Sequence, residues 1–164
     1  MIYVEPMALG WRALTVSWLD SLPESVTLGD GRQILQDMFD WLFDPCLDFI
    51  RTNCRQLIPI SPMCSVKSTL DFLEALISEA ANADDATENR YLRQWVHASF
   101  LFSVVWGIGG CLDEAGRVKF DDFIKPILAG KVPESPVPQS IGGRCDFQMP
   151  DTGLVYDYFY EVSN

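Results

Sequence analysis

The residues of this chain with the strongest claim to chemistry lie in Cys111–Asp122, where Asp113, Gly116, Val118 and Asp122 imitate a calcium-binding loop. Such a loop needs oxygen ligands at alternate positions, a glycine at the turn and a bidentate glutamate at its close. Setting Gly116 at the turn puts Cys111, Asp113 and Ala115 at the first three ligand positions. Cys111 and Ala115 supply no carboxylate or amide oxygen, and the closing position holds the shorter Asp122. The stretch reads instead as a helix start with Asp113 as its N-cap. Just upstream, Gly107, Gly109 and Gly110 are not followed by Lys-Ser or Lys-Thr, so they form no phosphate-cradling loop of the Walker type. They are expected to end a helix by supplying the positive φ that a C-cap commonly uses.

Other reactive groupings are sparse. Asp84–Asp85 and Asp121–Asp122 read as loop charges and a solvated face, because acid–base work requires a carboxyl held in a desolvated cleft. Neither GxSxG nor HExxH occurs. A Ser-His-Asp triad would have to recruit the single histidine, His97, from an apolar helix where it reads as an interior side chain. The five cysteines (Cys46, Cys54, Cys64, Cys111, Cys145) are widely spread without a CxxC pair, which suits reduced thiols rather than a zinc site. No metal ligand and no catalytic residue is assigned. Twelve basic against 23 acidic side chains leave a net charge of −11, the wrong balance for a nucleic-acid surface. The 48 % apolar content is enough for a buried core. Val96–Leu112, a long uncharged run, falls short of a membrane span and contains three glycines, so no membrane partner is expected.

The elements that must carry these residues are mostly helical. Ile2–Val4 is a short β-favouring run stopped by Glu5-Pro6. Leu9, Ala13, Val16 and Leu19 then keep helical spacing, with Trp11 and Trp18 adding bulk, up to Leu22-Pro23. Gln33–Leu57 carries the clearest amphipathic stripe, through Leu35, Met38, Leu42, Cys46, Phe49, Cys54 and Leu57. The stripe keeps its phase across Pro45, predicting one long helix kinked there. Ile58–Met63 is a connector, and Ser65 is placed to cap a helix bearing Val66, Leu70, Leu73, Ile77 and Ala80. After a polar loop at Asn82–Asn89, Arg90–Ile108 is apolar nearly all round and must be central in its bundle. The helix following Asp113 carries Phe120, Phe123, Ile124, Ile127 and Leu128, with Pro126 bending its last turn; Trp106 and Phe120 should pack across the corner. Four prolines in Pro133–Pro150 mark a linker arm, and Leu154–Tyr160 is aromatic and β-favouring. The five tryptophans all fall in helical segments and read as packing residues.

The blocks MIYVEP, LGWR, SWLDSLP, DWLFDPCLDFIRTNC, FLFSVVWGIGGCLDEAGRVKFDDF and GLVYDYFYE, in that order, resemble dynein heavy chains, most closely the axonemal ones. The likeness covers essentially Met1–Glu161. It implies a mainly α fold: the helical small (lid) subdomain of the second AAA+ module of a motor ring, with short β remnants at both ends. Residues 1–8 would end that module's large subdomain, 9–130 would be the lid, and 131–164 the linker arm and start of the third module.

The resemblance also implies the function. The phosphate-binding loops and the Walker B carboxylate would lie outside this chain, so it would be no enzyme by itself and hold no cofactor. ATP or ADP with Mg would belong to the parent motor, a microtubule ATPase of the cytoplasm and the ciliary axoneme. The partners would be the neighbouring AAA+ modules, with the microtubule reached only through the parent. Arg93 stands roughly where lid subdomains of this class carry a sensor arginine that reaches the nucleotide phosphates. Pro126 departs from the family, whose corresponding helix is usually free of proline. The alternative function is a free-standing helical adaptor that binds partner helices through an apolar groove.

Overall fold

A helix stays a helix through a proline only when its neighbours hold it there, and the longest helix among the described residues is such a case. The computed structural model describes residues 10–27, 29–81, 89–141, 149 and 152–158. The helices are α1 (Gly10–Ser21), α2 (Glu24–Thr27), α3 (Gly31–Asn53), α4 (Pro62–Ala81), α5 (Asn89–Gly109) and α6 (Glu114–Leu128). Single 3-10 turns follow at Gln139–Ile141 and Val155–Asp157. Among the described residues there is no strand beyond an isolated bridge between Gln56 and Leu112. The all-α bundle is as expected. The N-terminal β remnant, Ile2–Val4, lies outside the described residues, and the described part of Leu154–Tyr160 is a 3-10 turn.

Pro45 lies inside α3, where a proline removes a backbone hydrogen bond and crowds the preceding turn at a cost of about 3 kcal/mol. The flanking face holds the helix in place: Leu35, Met38, Phe39, Leu42, Phe43 and Cys46 are fully buried, and Ile50 nearly so. Burying each large apolar side chain contributes roughly 1.5–3 kcal/mol, so the face on both sides of Pro45 outweighs the defect. The helix stops at Asn53, before the expected Leu57. Cys54 turns extended, and residues 55–57 pair with the α5–α6 corner instead: Leu57 N–H donates to Cys111 O at 2.8 Å and Asp113 N–H to Arg55 O at 3.3 Å. Leu57 thereby leaves the stripe and is 69 % exposed.

Tryptophan volume sets the phase of α1. Its inner face is Trp11, Thr15, Trp18 and Leu19, whereas Ala13 and Val16, expected inside, face outward. Trp11 stacks obliquely on Phe43 at 5.1 Å and donates its indole N–H to Asp44 at 2.7 Å. The chain past Pro23 forms the short α2, unexpected from its sequence, which buries Val26. Helix α4 begins at Pro62, with Ser61 Oγ accepting from Cys64 N–H at 3.3 Å. Ser61 is therefore the cap, and Ser65, the expected one, is buried one turn in.

Helices α4 and α5 pack against each other along their small residues. A Cβ on Gly107 would lie 2.8 Å from the Thr69 backbone and closer still to its hydroxyl. Buried Thr69 and Ser103 satisfy their hydroxyls on Ser65 O (2.9 Å) and Ser99 O (2.7 Å), so these polar groups enter the interface without a lost hydrogen bond. Phe100 of α5 meets Phe39 of α3 edge-on at 4.8 Å, which joins the helix pair to the rest of the core. α5 is central, as its all-round apolar sequence requires.

Candidate functional site

The candidate site lies where α5 turns into α6 and described residues of the C-terminal arm pack against the bundle. Asp113, extended at the N-cap, accepts from Gly116 N–H at 2.7 Å, so Cys111–Asp122 is a capped helix start. Gly107 and Gly109 lie within α5, and neither they nor Gly110 has positive φ. The expected left-handed C-cap is therefore corrected. These positions are glycine because other groups come too close: Thr69 at Gly107, the Tyr156 hydroxyl and the Phe120 ring at Gly109, the Trp106 carbonyl at Gly110.

Tyr156 is the centre of the junction. Its hydroxyl donates to Gly109 O at 3.1 Å. Its ring meets Trp106 edge-on at 5.5 Å and Phe120 at 6.3 Å, so the two sides of the corner meet through an arm residue. The Arg117 guanidinium sits 5.0 Å from the Tyr156 ring and 5.5 Å from that of Trp106, and Nη2 donates to Gly110 O at 3.4 Å. All three side chains are half-buried, and a cation–π contact there is worth roughly 0.5–1.5 kcal/mol. Burial pushes the Tyr156 phenol above its ordinary range, with the Arg117 charge opposing, so it is a hydrogen-bond donor at neutral pH.

The second anchor is Asp121. Its sequence context suggests a solvated face, yet it is 6 % exposed, while Asp122 beside it is exposed. Asp121 Oδ1 accepts from Val155 N–H at 2.6 Å and Oδ2 pairs with Lys125 Nζ at 3.0 Å. Lys125 also donates to Gly153 O at 2.6 Å. A buried carboxylate with both a backbone donor and a cation is a satisfied structural group. Partners so distant in the chain give no local signal: Tyr156 and Gly109 are 47 positions apart, Val155 and Asp121 34.

The arm also lies against α3. Trp41 Nε1 donates to Ser135 O at 3.1 Å and Ser140 Oγ to Asp37 at 2.5 Å, and Ile141 and Val155 are buried in the common core. Between arm and helix an open cleft of about 450 Å³ is lined by Asp37, Asp40, Trp41, Pro45, Pro136 and Pro138 among others.

This constellation positions backbone; its groups are unsuited to nucleophilic or acid–base chemistry. Burial raises the Cys46 thiol to about 12 and pushes Cys54 and Cys111 up as well, so all three stay protonated and unreactive near neutrality. His97 is 2 % exposed within α5. Trp11, Trp18 and Trp41 are buried and Trp95 and Trp106 half-buried, in helix-packing positions. Among the described residues no group of three or more His, Cys, Asp or Glu could hold a metal ion, and no helix is long and apolar enough to cross a membrane. Arg93 falls in the first half of α5; its side chain lies outside the described residues.

The family model for the dynein heavy chain AAA lid domain matches residues 35–164. Dynein axonemal heavy chain 12 of Mus musculus is 37 % identical over 165 residues, covering 100 % of this chain and 5 % of its own length. Dynein axonemal heavy chain 3 of Homo sapiens is 33 % identical over 167 residues, covering 98 % of this chain and 4 % of its own. The flagellar outer-arm dynein beta chain of Chlamydomonas reinhardtii is 25 % identical over 167 residues, 100 % of this chain and 3 % of its own length. The chain spans no more than 5 % of the length of these curated relatives.

Proposed function

The chain belongs to the dynein heavy chain AAA lid family, and from that premise we propose that it is a non-catalytic mechanical segment of an axonemal dynein motor ring. In this reading it is the lid of the second AAA+ module and its arm leads to the third. It relays nucleotide-dependent motion between them during microtubule-based movement in the cilium. ATP or ADP with Mg is bound by the parent heavy chain, whose neighbouring modules are this segment's partners, and the microtubule is reached through the parent. Arg93 is the residue of this segment proposed to reach nucleotide phosphate.

The observation that carries the reading is the family match over 35–164, which takes in the bundle from Leu35 of α3 through α6 and the arm residues that follow. A relay has to be stiff, and the α4–α5 crossing at Gly107 and Thr69 is the close packing that supplies stiffness. The family match favours this reading over a free-standing adaptor.

The test is ATP-driven microtubule gliding by an intact axonemal heavy chain carrying this segment, with Gly107→Leu to wedge α4 from α5. Gliding should be lost while hydrolysis at the motor's intact nucleotide sites persists; the exposed substitution Ser68→Ala is the control. Normal gliding with the crossing wedged would overturn the reading.

A further inference from the structure

Residues 152–158 lie against the bundle through few buried groups. Val155 is their one buried residue; Thr152, Gly153 and Asp157 are exposed, and Leu154, Tyr156 and Tyr158 half-buried. Their regular structure is a single 3-10 turn, whose Asp157 N–H bonds to Leu154 O at 2.9 Å. Among the described residues, attachment rests on three hydrogen bonds, from Val155 N–H to Asp121, from the Tyr156 hydroxyl to Gly109 O and from Lys125 to Gly153 O, together with the Tyr156 ring and the one side chain, Val155, buried in the common core.

We propose that this segment is a releasable strap over the α5–α6 corner, closed here, whose lifting uncovers the aromatic face formed by Trp106 and Phe120. Three observations carry it. The groups left behind keep partners of their own: Asp121 retains Lys125 at 3.0 Å, and Arg117 retains the Trp106 ring and Gly110 O. The corner is closed without the strap, by the Asp113 cap on Gly116 and by the pairing of residues 55–57 with 111–113. Gly153 has φ +78°, a left-handed conformation at the strap's start that suits a hinge. Lifting therefore breaks the contacts of one short turn and leaves the helices intact, which places the strap at the low-stability end of local opening. The uncovered face continues an aromatic row, since Trp106 contacts Phe102 at 6.3 Å and Phe102 meets Phe72 at 6.4 Å. The closed strap is thus a cover whose state sets how much of that row solvent or a neighbour can reach.

Hydrogen–deuterium exchange by mass spectrometry on the 164-residue chain tests this, comparing the unsubstituted chain with Tyr156→Phe and Tyr156→Ala. In the unsubstituted chain, amides of 154–157 should exchange much faster than those of α5. Tyr156→Phe, which keeps the ring and loses the hydroxyl, should speed strap exchange moderately, and Tyr156→Ala should bring it to the unprotected rate, with α3, α4 and α5 still protected in both. Strap amides protected as strongly as α5 before substitution would overturn the proposal. So would loss of α5 protection together with the strap in either variant, or a Tyr156→Ala chain that does not fold, since each would make the segment an integral part of the core.

Discussion

The Tyr156 hydroxyl donates to the Gly109 carbonyl at 3.1 Å, and no Cβ separates the two residues at their point of closest approach. A side chain at residue 109 would occupy the space of that hydroxyl and would reach 3.3 Å from the Phe120 ring. The glycine therefore exists for the arm, and the corner is shaped to receive a tyrosine from the far end of the chain.

Gly109→Ala should destabilise the chain by about 1–3 kcal/mol, the usual cost of forcing an extra carbon into a filled site. Urea denaturation followed by circular dichroism gives the value. Combining it with Tyr156→Ala should recover part of the loss, because the obstructing hydroxyl goes with the ring. Simple addition of the two costs would show that the contact does not set residue 109.

Gly107→Ala should cost at least as much, and Thr69→Ala should not rescue it. The obstruction at Gly107 includes Thr69 backbone at 2.8 Å, which no side-chain trimming removes. Thermal unfolding of the two single variants and the double variant separates these outcomes.

Asp113→Ala should lower stability by about 1 kcal/mol through loss of the cap on Gly116, with Asp113→Ser retaining most of it. At the start of α4, Ser61→Ala should behave as a cap loss and cost helix content. Ser65→Ala should not, since Ser65 lies inside the helix. Helix content and urea midpoints check both.

Stability should fall as the solution is made alkaline. Cys46 is ordinarily a 9.0 thiol and is raised to about 12 by complete burial, so the unfolded chain releases this proton first. Its contribution is fully present below pH 9 and declines as pH rises towards 12, with a slope approaching about 1.4 kcal/mol per pH unit. Tyr156, raised above its usual 10.0, acts in the same direction from pH 10 upward. Urea midpoints from about pH 7 to 11 should show the fall, and Cys46→Ala should flatten its part between about pH 9 and 10.

If Arg93 reaches nucleotide phosphate, as proposed, Arg93→Ala in an intact heavy chain should weaken nucleotide affinity at the module this lid serves. Equilibrium binding of a fluorescent ATP analogue measures this, and unchanged affinity would remove the residue from the site.

Helices α3, α5 and α6 are legible in the sequence because each carries a long apolar period and α6 opens on an unambiguous cap, Asp113. The phase of α1 is not legible from apolar spacing alone, because Trp11 and Trp18 outweigh Ala13 and Val16 in buried area and rotate the helix towards themselves. Leu57 keeps the periodicity of α3 but leaves the helix, since pairing with residue 111 is available and helix propensity is weak beside it. The junction is the least legible part. Asp121 reads as solvated and Leu154–Tyr160 as a strand, because their surroundings come from residues more than thirty positions away in the chain. The glycines belong at the corner, but their positions are set by close approach rather than by left-handed backbone.

The central claim is that this segment does no chemistry and transmits motion through its connection to the next module of the ring. The most direct measurement is the ratio of microtubule gliding to ATP consumed by an intact axonemal heavy chain into which a flexible Gly-Ser stretch is inserted immediately after Asn164 of this segment. ATP consumption should continue while gliding stops, because the bundle still folds but its movement no longer reaches the next module. Gliding at the original speed and the original ATP consumption would contradict the relay.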